Sequence, residues 1–217
     1  MSKPEAFWDR SADNYDKTEK RFEHIHHTSR EATKSHLTTG DNVLDYGCGT
    51  GTTACELASS VDHILGIDIS GRMIELSKQK AASAGVENVR FEQGDIYDTT
   101  HDDSSFDVIL TFNMLHTVPH PERVVRRVHD LLQPDGLFIS VTPCLRDKMS
   151  ILVKLQIQLV RLLCRIGIVP VPIRRLRAVD LHNLITKQPF SIVDSREIFA
   201  GATSYFAVAR KQDPQAA

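Results

Sequence analysis

The sequence NVLDYGCGTG occupies residues 42–51 and joins a short apolar strand to three alternating glycines. A helical pattern follows near 51–60. Glycines at such a strand-to-helix turn let the backbone bend sharply and bring main-chain N–H groups at a helix N-terminus close to a ligand. The spacing departs from the dinucleotide-binding pattern GxGxxG, because Thr52 stands where that pattern needs its third glycine. This stretch predicts an α/β sheet with a ligand-binding turn after its first strand.

Short strand patterns alternate with helical patterns along most of the chain. Such alternation is typical of right-handed βαβ units on a mostly parallel sheet. Two longer strand patterns flank Gly201 and predict an antiparallel hairpin that closes the sheet. The predicted strands are 42–46, 63–68, 89–93, 106–112, 136–142, 190–200 and 202–210, and the predicted helices lie near 51–60, 71–84 and 121–132.

Acidic residues follow three neighbouring predicted strands. Asp45 belongs to the first strand, Asp68 ends the second, 17 residues after Gly51, and Asp95 comes just after the third. A carboxylate in the position of Asp68 is suited to accept both hydroxyls of a ribose. Because open α/β sheets bind ligands at the carboxyl ends of their strands, we expect a ligand crevice there. The alternative is that these are surface acids without a ligand.

Composition and charge exclude several classes of protein. The chain has 217 residues, of which 41% are hydrophobic and 25% charged, as in ordinary globular proteins. A formal net charge of -2 argues against a generic nucleic-acid binder. No apolar leader and no run of 18 apolar residues is present, so we expect a cytoplasmic protein, at most peripheral to a membrane. Free thiols in a reducing compartment are predicted from four scattered cysteines, Cys48, Cys55, Cys144 and Cys164.

Taken in order, these motifs resemble those of the class I S-adenosylmethionine-dependent methyltransferases, in particular their small-molecule branch with type 11 methyltransferase domains. The likeness covers about residues 7–143 and resumes at 179–210. VLDYGCGTG at 43–51 is similar to the family's first motif, GIDIS at 66–70 to its ribose motif, GDIYD at 94–98 to its adenine motif, 106–143 to its fourth and fifth strands, and FWDRSADNYDK at 7–17 to its lead-in.

The resemblance implies S-adenosylmethionine as the cofactor and a role for each matching residue. The implied contacts are Asp45, Gly47, Cys48 and Gly49 with the methionine moiety; Asp68 with the ribose; Asp95 and Ile96 with the adenine; Thr111, Phe112 and Asn113 beside the methionine moiety and the transferable methyl; and Gly51, Ile69 and Tyr15 in the same site.

Catalysis in such a family depends mainly on in-line positioning and a desolvated pocket, because a sulfonium methyl is already activated. If the acceptor must lose a proton, His116 is the first candidate base and Tyr15 the second, since an imidazole titrates in the useful range. The alternative for His116 is a packing or helix-capping histidine. Tyr15 is expected to form a lid over the cofactor, and its alternative is simple packing.

The absence of two sequence motifs narrows the range of possible methyl acceptors. TFNM at 111–114 stands where enzymes that methylate the amino groups of nucleic-acid bases carry NPPY or DPPY, and no Asp-Asp-Asn set indicates a catechol-type metal enzyme. HIHH at 24–27 places two histidines on one helical face, but without a cysteine or carboxylate partner a solvated face is favoured over a metal site. We therefore expect no metal and no nucleic-acid partner.

Residues 144–178 differ from the rest in composition. Segment 146–177 holds eight basic residues and one acid, a charge of +7, which leaves -9 for the remainder. Such a basic amphipathic helix is suited to cover a lipophilic substrate, dock on an anionic membrane or form a dimer interface; a lid packed on its own domain is the alternative. Within 148–166 the predicted apolar face is Ile151, Leu152, Leu155, Leu159, Leu162, Leu163 and Ile166, widened by Val153, Ile157 and Val160, and the polar stripe is Lys154, Gln158, Arg161 and Arg165.

These observations predict a Rossmann-like α/β fold with a seven-stranded, mostly parallel sheet, a C-terminal antiparallel hairpin and helices on both faces. The expected function is methyl transfer from S-adenosylmethionine to a small, hydrophobic acceptor by a monomer or homodimer. The alternatives are a cofactor-binding partner or membrane-surface module without turnover, and a nicotinamide-dependent oxidoreductase. The predicted layout is an N-terminal helical cap (1–38), a cofactor-binding core (39–143), a helical acceptor lid (144–178), a last helix with the closing hairpin (179–211) and a disordered tail (212–217).

Overall fold

The structure is a computed structural model that describes residues 2–98 and 101–212. The predicted tail, 212–217, lies outside the described residues except for Gln212. Within these ranges, no helix combines the length and apolar character needed to cross a membrane.

One seven-stranded sheet forms the centre of the molecule, with the strand order β3-β2-β1-β4-β5-β7-β6. β7 runs antiparallel to both of its neighbours, and the other pairings are parallel. The predicted α/β fold is therefore confirmed. The strands are β1 (Asn42–Tyr46), β2 (His63–Asp68), β3 (Val89–Gln93), β4 (Phe106–Phe112), β5 (Leu132–Pro143), β6 (Phe190–Phe199) and β7 (Thr203–Lys211).

Helices precede the sheet and connect its strands. Local sequence signals begin and end them: Ser2 and Glu5 form a capping box at the first helix, and Gly85 ends the fifth in the left-handed conformation. The helices are α1 (Lys3–Ser11), α2 (Tyr15–Glu19), α3 (Glu23–Lys34), α4 (Thr52–Leu57), α5 (Gly71–Ala84), α6 (Pro121–Leu131), α7 (Ile151–Arg165) and α8 (Ala178–Thr186).

β5 begins earlier than the sequence predicted. The predicted strand starts at residue 136, but Leu132 already pairs with Phe106 on β4. The register then shifts, because Asp135 adopts a φ of 62° and the next pair joins Val108 to Leu137. Residues 133–136 are thus an irregularity inside one strand, where the chain bulges and resumes pairing.

Apolar side chains on the two sides of the sheet form two buried clusters. Neighbouring residues of β1 point to opposite sides: Leu44 packs with residues of α6 and α8, and Val43 packs with residues of α3, α4 and α5. This alternation is the period of a strand buried on both faces. Helices therefore cover the faces of the sheet, and ligands have access at the ends of the strands.

The site lies where the chain changes direction across the sheet. From β1 the chain builds outward through β2 and β3, then crosses back to place β4 on the other side of β1. Helices on opposite faces leave a crevice at such a switch point, beyond the carboxyl ends of the strands. The glycine turn follows the carboxyl end of β1 directly.

Candidate active site

The glycine turn after β1 uses conformations that other residues rarely adopt. Gly47, Gly49 and Gly51 have φ values of 74°, 53° and 76°. A Cβ on Gly49 would lie 3.5 Å from the Tyr15 ring, whereas a Cβ on Gly51 would lie 2.6 Å from Phe91. Gly49 therefore borders the space under Tyr15. Gly51 instead allows the turn to pack on β3, and its predicted contact with the cofactor stays a prediction.

Asp68, at the end of β2, stabilises this turn through hydrogen bonds. One carboxylate oxygen accepts a hydrogen bond from Gly49 N at 3.0 Å, and the other accepts one from Ser70 N at 2.9 Å. Burial raises the pKa of Asp68 above its usual value, and these two hydrogen bonds oppose that rise. Each oxygen keeps a lone pair for a further donor, so Asp68 can both hold the turn and accept a ligand hydroxyl.

Asp45, on β1, is a buried carboxylate with an unused oxygen. The residue is 1% exposed, and its Oδ2 atom has no hydrogen-bond partner within 2–98 and 101–212. Burial, and then the neighbouring charge of Asp68, raise its pKa to about 7. A buried carboxylate without a partner is costly to ionise, and a positively charged ligand group would compensate for that cost.

Two adjoining cavities of about 300 and 290 Å³ form a groove over the turn. The first contains Asp45 and Cys48 together with Lys80 and Arg30, and the second contains Asp68, Ile69 and Asp95. The groove runs continuously from one end to the other, since four of its residues line both cavities: Tyr15, Gly47, Phe112 and Asn113.

Besides Gly51, two predicted cofactor residues do not line this groove. Ile96 is 1% exposed and packs in the core beside α6, and Thr111 on β4 is fully buried. The backbone O of Ile96 accepts a hydrogen bond from Arg127 Nε at 3.3 Å instead. The side chains of both residues point into the protein, so a cofactor contact of Ile96 or Thr111 would have to come from main-chain atoms, and it stays a prediction.

Basic residues at the Asp45 end of the groove were missed by the sequence analysis. Lys80 Nζ donates to Asp16 Oδ2 at 2.8 Å and to Thr50 Oγ1 at 2.9 Å. Arg30 is 5% exposed and bridges two glutamates of α3 and α4. The sequence did not indicate Lys80 and Arg30 as site residues, because Lys80 lies on α5 and Arg30 on α3, far from the glycine motif in the sequence.

The N-terminal helices cover the groove and attach to α5. Asp9 Oδ1 accepts hydrogen bonds from Ser70 Oγ at 2.6 Å and from Arg72 N at 3.1 Å, and Asp13 Oδ1 accepts one from Arg72 Nε at 2.9 Å. These contacts hold α1 against the start of α5. They place Tyr15, at the start of α2, over Gly49.

A third, mainly apolar cavity of about 390 Å³ adjoins the groove. Val153, Ile157 and Val160 of α7 form one wall of it. The face predicted as the main apolar face is turned outward, with Leu152 74% and Leu155 62% exposed. The residues predicted only to widen the apolar face of α7 therefore line the cavity, and the predicted main apolar face does not.

The family model of a methyltransferase domain matches residues 37–166 of the chain. The chain belongs to this methyltransferase family. The resemblance to class I S-adenosylmethionine-dependent methyltransferases is thereby confirmed, since the described fold also agrees with theirs. The predicted cofactor, S-adenosylmethionine, is the one this family uses.

Known relatives of this methyltransferase share its core. It is 33% identical over 133 residues to 27-O-demethylrifamycin SV methyltransferase from Amycolatopsis mediterranei, covering 60% of this chain and 47% of the relative. It is 34% identical over 102 residues to ubiquinone biosynthesis O-methyltransferase from Coxiella burnetii, covering 46% and 43%. The crystal structure of YcgJ from Bacillus subtilis superimposes with a TM-score of 0.69 at 19% identity, covering 86% of this chain and 99% of that one. The matched region thus spans less than half of each of the two curated relatives.

The groove of this methyltransferase fits the cofactor on chemical grounds. Asp45 offers an unpaired buried carboxylate oxygen, which suits the cationic methionine part of S-adenosylmethionine. Asp68 offers acceptor positions for ribose hydroxyls at the other side of the turn. Asp95 and Ile69 line the far cavity, where the resemblance expects the adenine.

Tyr15 lies where the groove and the apolar cavity meet, because it lines all three cavities. Its ring packs edge-on against Trp8, with centroids 6.4 Å apart. Burial, followed by the charges of Glu19 and Asp68, raises the pKa of Tyr15 well above its usual value. The phenol therefore keeps its proton at neutral pH, which fits the predicted lid and argues against a role as base.

His116 lines the apolar cavity, as a base for the acceptor would require. Burial lowers its pKa to about 4, and its Nδ1 atom lacks a hydrogen-bond partner in the described chain. The imidazole is therefore neutral at physiological pH and holds an added proton weakly. It stays a predicted base, of low basicity.

His26 lines the cavity walls, whereas the sequence predicted a solvated helix face for it. Its neighbours His24 and His27 are exposed, as expected, but the His26 side chain is only 16% exposed. It lines both the Asp45 end of the groove and the apolar cavity. The periodicity of apolar residues in α3 did not indicate that His26 is largely buried, because its buried neighbour one turn along the helix, Arg30, is polar. No group of three potential metal-ligating side chains occurs in the part of the chain that the structure describes.

Proposed function

We propose that the protein transfers a methyl group from S-adenosylmethionine to a small apolar acceptor. The observation that carries this proposal is the apolar cavity of about 390 Å³, which meets the cofactor groove at Tyr15 and Asn113. An acceptor in that cavity would lie next to the groove and away from bulk water. Proximity and desolvation are the main requirements of methyl transfer from an activated sulfonium.

When bound, S-adenosylmethionine supplies a methyl group on positively charged sulfur. The chain itself binds, orients and excludes water. Asp68 would accept the ribose hydroxyls and Asp45 would face the cationic part, while Tyr15 would cover the groove. The names of the relatives from Amycolatopsis and Coxiella support oxygen as a methyl acceptor in related sequences.

Transfer of labelled methyl groups tests the proposal. The protein is incubated with labelled S-adenosylmethionine and a panel of apolar small molecules, and label is measured in the organic extract. We expect a methylated product and equimolar S-adenosylhomocysteine from the unmodified protein and from Asp62→Asn, an exposed control. A protein that binds the cofactor and forms no methylated product would contradict the proposal and favour the non-catalytic alternative.

We further propose a cytoplasmic protein that contacts an anionic membrane surface through the outer face of α7. Large apolar side chains there are more than half exposed, including Leu152, Leu155 and Leu159. The sequence from 148 to 179 contains no acidic residue, so this face is complementary to anionic lipid headgroups and repels a second copy of itself. The four cysteines are free, in keeping with a reducing compartment.

Sedimentation with lipid vesicles tests this second proposal. We expect binding to vesicles that contain phosphatidylserine, weaker binding at high salt, and none to vesicles of phosphatidylcholine alone. Replacing Lys154, Arg161 and Arg165 with Gln should weaken binding roughly hundredfold, at about 1 kcal/mol for each charge. A dimer in solution that buries α7, or no sedimentation with either vesicle, would contradict it.

A further inference from the structure

We propose that His26 is the catalytic base for an acceptor hydroxyl and that Glu19 positions it, so that the methyl group goes to oxygen. This inference rests on the proposed function and names its substrate class: a phenol or alcohol with an apolar body. It concerns the boundary between the cofactor groove and the acceptor cavity. Among the described residues, four line both the Asp45 end of the groove and the apolar cavity: Tyr15, Glu19, His26 and Asn113.

Three of these residues form a hydrogen-bonded chain. His26 Nε2 lies 3.2 Å from Glu19 Oε2, and His26 Nδ1 lies 3.3 Å from Asn113 Nδ2. A carboxylate only accepts hydrogen bonds, so Nε2 carries the ring proton and donates it. The amide nitrogen of Asn113 donates to Nδ1, so the imidazole lone pair faces the boundary. The arrangement is a carboxylate-oriented imidazole, with its basic nitrogen on the side of Asn113.

The contact between His26 and Asn113 can be replaced by a substrate. At 3.3 Å it is long for a hydrogen bond to nitrogen, whereas an acceptor hydroxyl can donate to Nδ1 over a shorter distance. Asn113 is held independently, since its backbone N donates to Val141 O at 2.7 Å and its φ is 56°. Asn113 would therefore stay at the boundary, beside the acceptor oxygen, when the hydroxyl takes the place of its amide on His26.

The other titratable groups at the boundary are less suited to take a proton. The raised pKa of Tyr15 keeps its phenol protonated, and the pKa of about 4 makes His116 a weak base. His26 instead contacts the Glu19 carboxylate through Nε2 and lies at the boundary with Nδ1 on the side of Asn113. The remaining charged side chains that line the groove near His26 are those of Lys20, Glu23 and Arg30.

The proposed step balances in atoms and electrons. The acceptor oxygen forms a bond to the methyl carbon while the carbon–sulfur bond breaks, and the electron pair of that bond stays on sulfur. The proton of the acceptor hydroxyl passes to His26 Nδ1. The products are a methyl ether, S-adenosylhomocysteine and an imidazolium that Glu19 stabilises until its proton leaves to solvent.

Matched acceptors and a matched variant test the proposal. The acceptors are para-butylphenol, para-butylaniline and para-butylbenzenethiol, with para-nitrophenol as a phenol already ionised at about pH 8. The variants are His26→Gln and His27→Gln, which change consecutive residues of α3, one at the boundary and one exposed. Affinity for S-adenosylhomocysteine by calorimetry and the melting temperature are measured for both.

We expect His26→Gln to lower kcat for para-butylphenol about hundredfold, the usual contribution of a general base, with KM changed less than about threefold. Its rate with para-nitrophenol should fall less than about tenfold, because that acceptor needs no base. Affinity for S-adenosylhomocysteine should stay within about threefold, and His27→Gln should match the unmodified protein. An equal loss with both phenols would overturn the proposal and assign His26 a structural role.

Two further results separate this inference from the proposed function. Transfer to the aniline or the thiol alone would overturn the hydroxyl acceptor and leave the methyltransferase proposal standing. Transfer to no acceptor, by a protein that binds the cofactor, would contradict both. If His26→Gln fails to fold, Glu19→Ala serves: proton–nitrogen correlation spectra should show the His26 ring proton on Nε2 in the unmodified protein and lose that preference in the variant. An unchanged tautomer would show that Glu19 does not position His26.

Discussion

Two aspartates at the glycine turn, Asp45 buried and Asp68 partly buried, differ in the hydrogen bonds that their neighbours supply. Both carboxylate oxygens of Asp68 accept backbone hydrogen bonds, whereas Asp45 Oδ2 has no partner in the described ranges. Backbone donors favour the charged form of a carboxylate, and burial without donors disfavours it. At the residue scale, Asp68 is therefore suited to hydroxyls and Asp45 to a cation.

We expect Asp68→Ala to weaken S-adenosylhomocysteine binding by about 1.5 to 3 kcal/mol, because charge-assisted hydrogen bonds to the ribose are lost. Calorimetry would show an affinity at least about tenfold lower. A ligand without ribose hydroxyls should bind both proteins equally well. Equal weakening with both ligands would show that the variant disrupts the turn held by Gly49 and does not report on the ribose.

Asp45 predicts a dependence of stability on pH. Its pKa rises from 3.8 to about 7 on folding, so between these values the folded state binds more protons than the unfolded state. Stability must then fall as pH rises through this interval. We expect Asp45→Asn to remove this loss and to exceed the unmodified protein in unfolding free energy above about pH 7, by on the order of 2 to 4 kcal/mol.

Denaturation in urea across this pH range measures the effect. Asp62→Asn, an exposed aspartate, should leave the pH dependence as it is. If Asp45→Asn gains no stability at high pH relative to low pH, then Asp45 is not buried as described. S-adenosylmethionine should reduce the difference, since a cation beside Asp45 favours the ionised form.

Substitution of Gly49 or Gly51 by alanine should have different effects on stability and on cofactor affinity. Gly51→Ala places a Cβ 2.6 Å from Phe91 and 2.8 Å from Ser77, so we expect a destabilisation of about 2 kcal/mol or more. Gly49→Ala shares the strained φ but meets only Tyr15 at 3.5 Å, so it should lower cofactor affinity and cost less stability. Equal melting temperatures for the two variants would contradict this distinction.

At the scale of elements, α7 is apolar on two sides for two reasons. Its inner residues Val153, Ile157 and Val160 wall the acceptor cavity, and its outer leucines face away from the protein. Ser150 caps its start, with Oγ accepting from Val153 N at 3.3 Å, and Ser150 N bonds to Gly201 O at 2.7 Å. The helix is thus anchored at one end to the loop between β6 and β7.

Ile157→Asp and Leu155→Asp should separate the two sides of α7. Ile157→Asp puts a charge in the acceptor cavity and should reduce methyl transfer at least about tenfold, with cofactor affinity unchanged. Leu155→Asp should leave methyl transfer to soluble acceptors unchanged and weaken vesicle binding. The reverse pattern in rates and sedimentation would show that the two faces are exchanged.

At the scale of the whole molecule, the strands and the order of the motifs were predictable, and the neighbours of the site were not. β1 to β4 match the predicted bounds, because each is a short run of β-forming residues between glycine or polar turn residues. The pairing that puts β4 beside β1 and β7 between β5 and β6 follows from packing across the whole sheet. His26, Glu19 and Lys80 join the site only through that packing.

The sequence by itself determined the fold class, the family and the glycine turn with Asp45 and Asp68 beside it, because these depend on local turns and on spacing along the chain. Only the tertiary structure decided which side of α7 faces the cavity, that Gly51, Ile96 and Thr111 do not line the groove, and that His26 does. The physical reason is that periodicity reports how apolar a face is. It does not report which neighbouring element covers that face, and this is set by contacts between residues far apart in the chain.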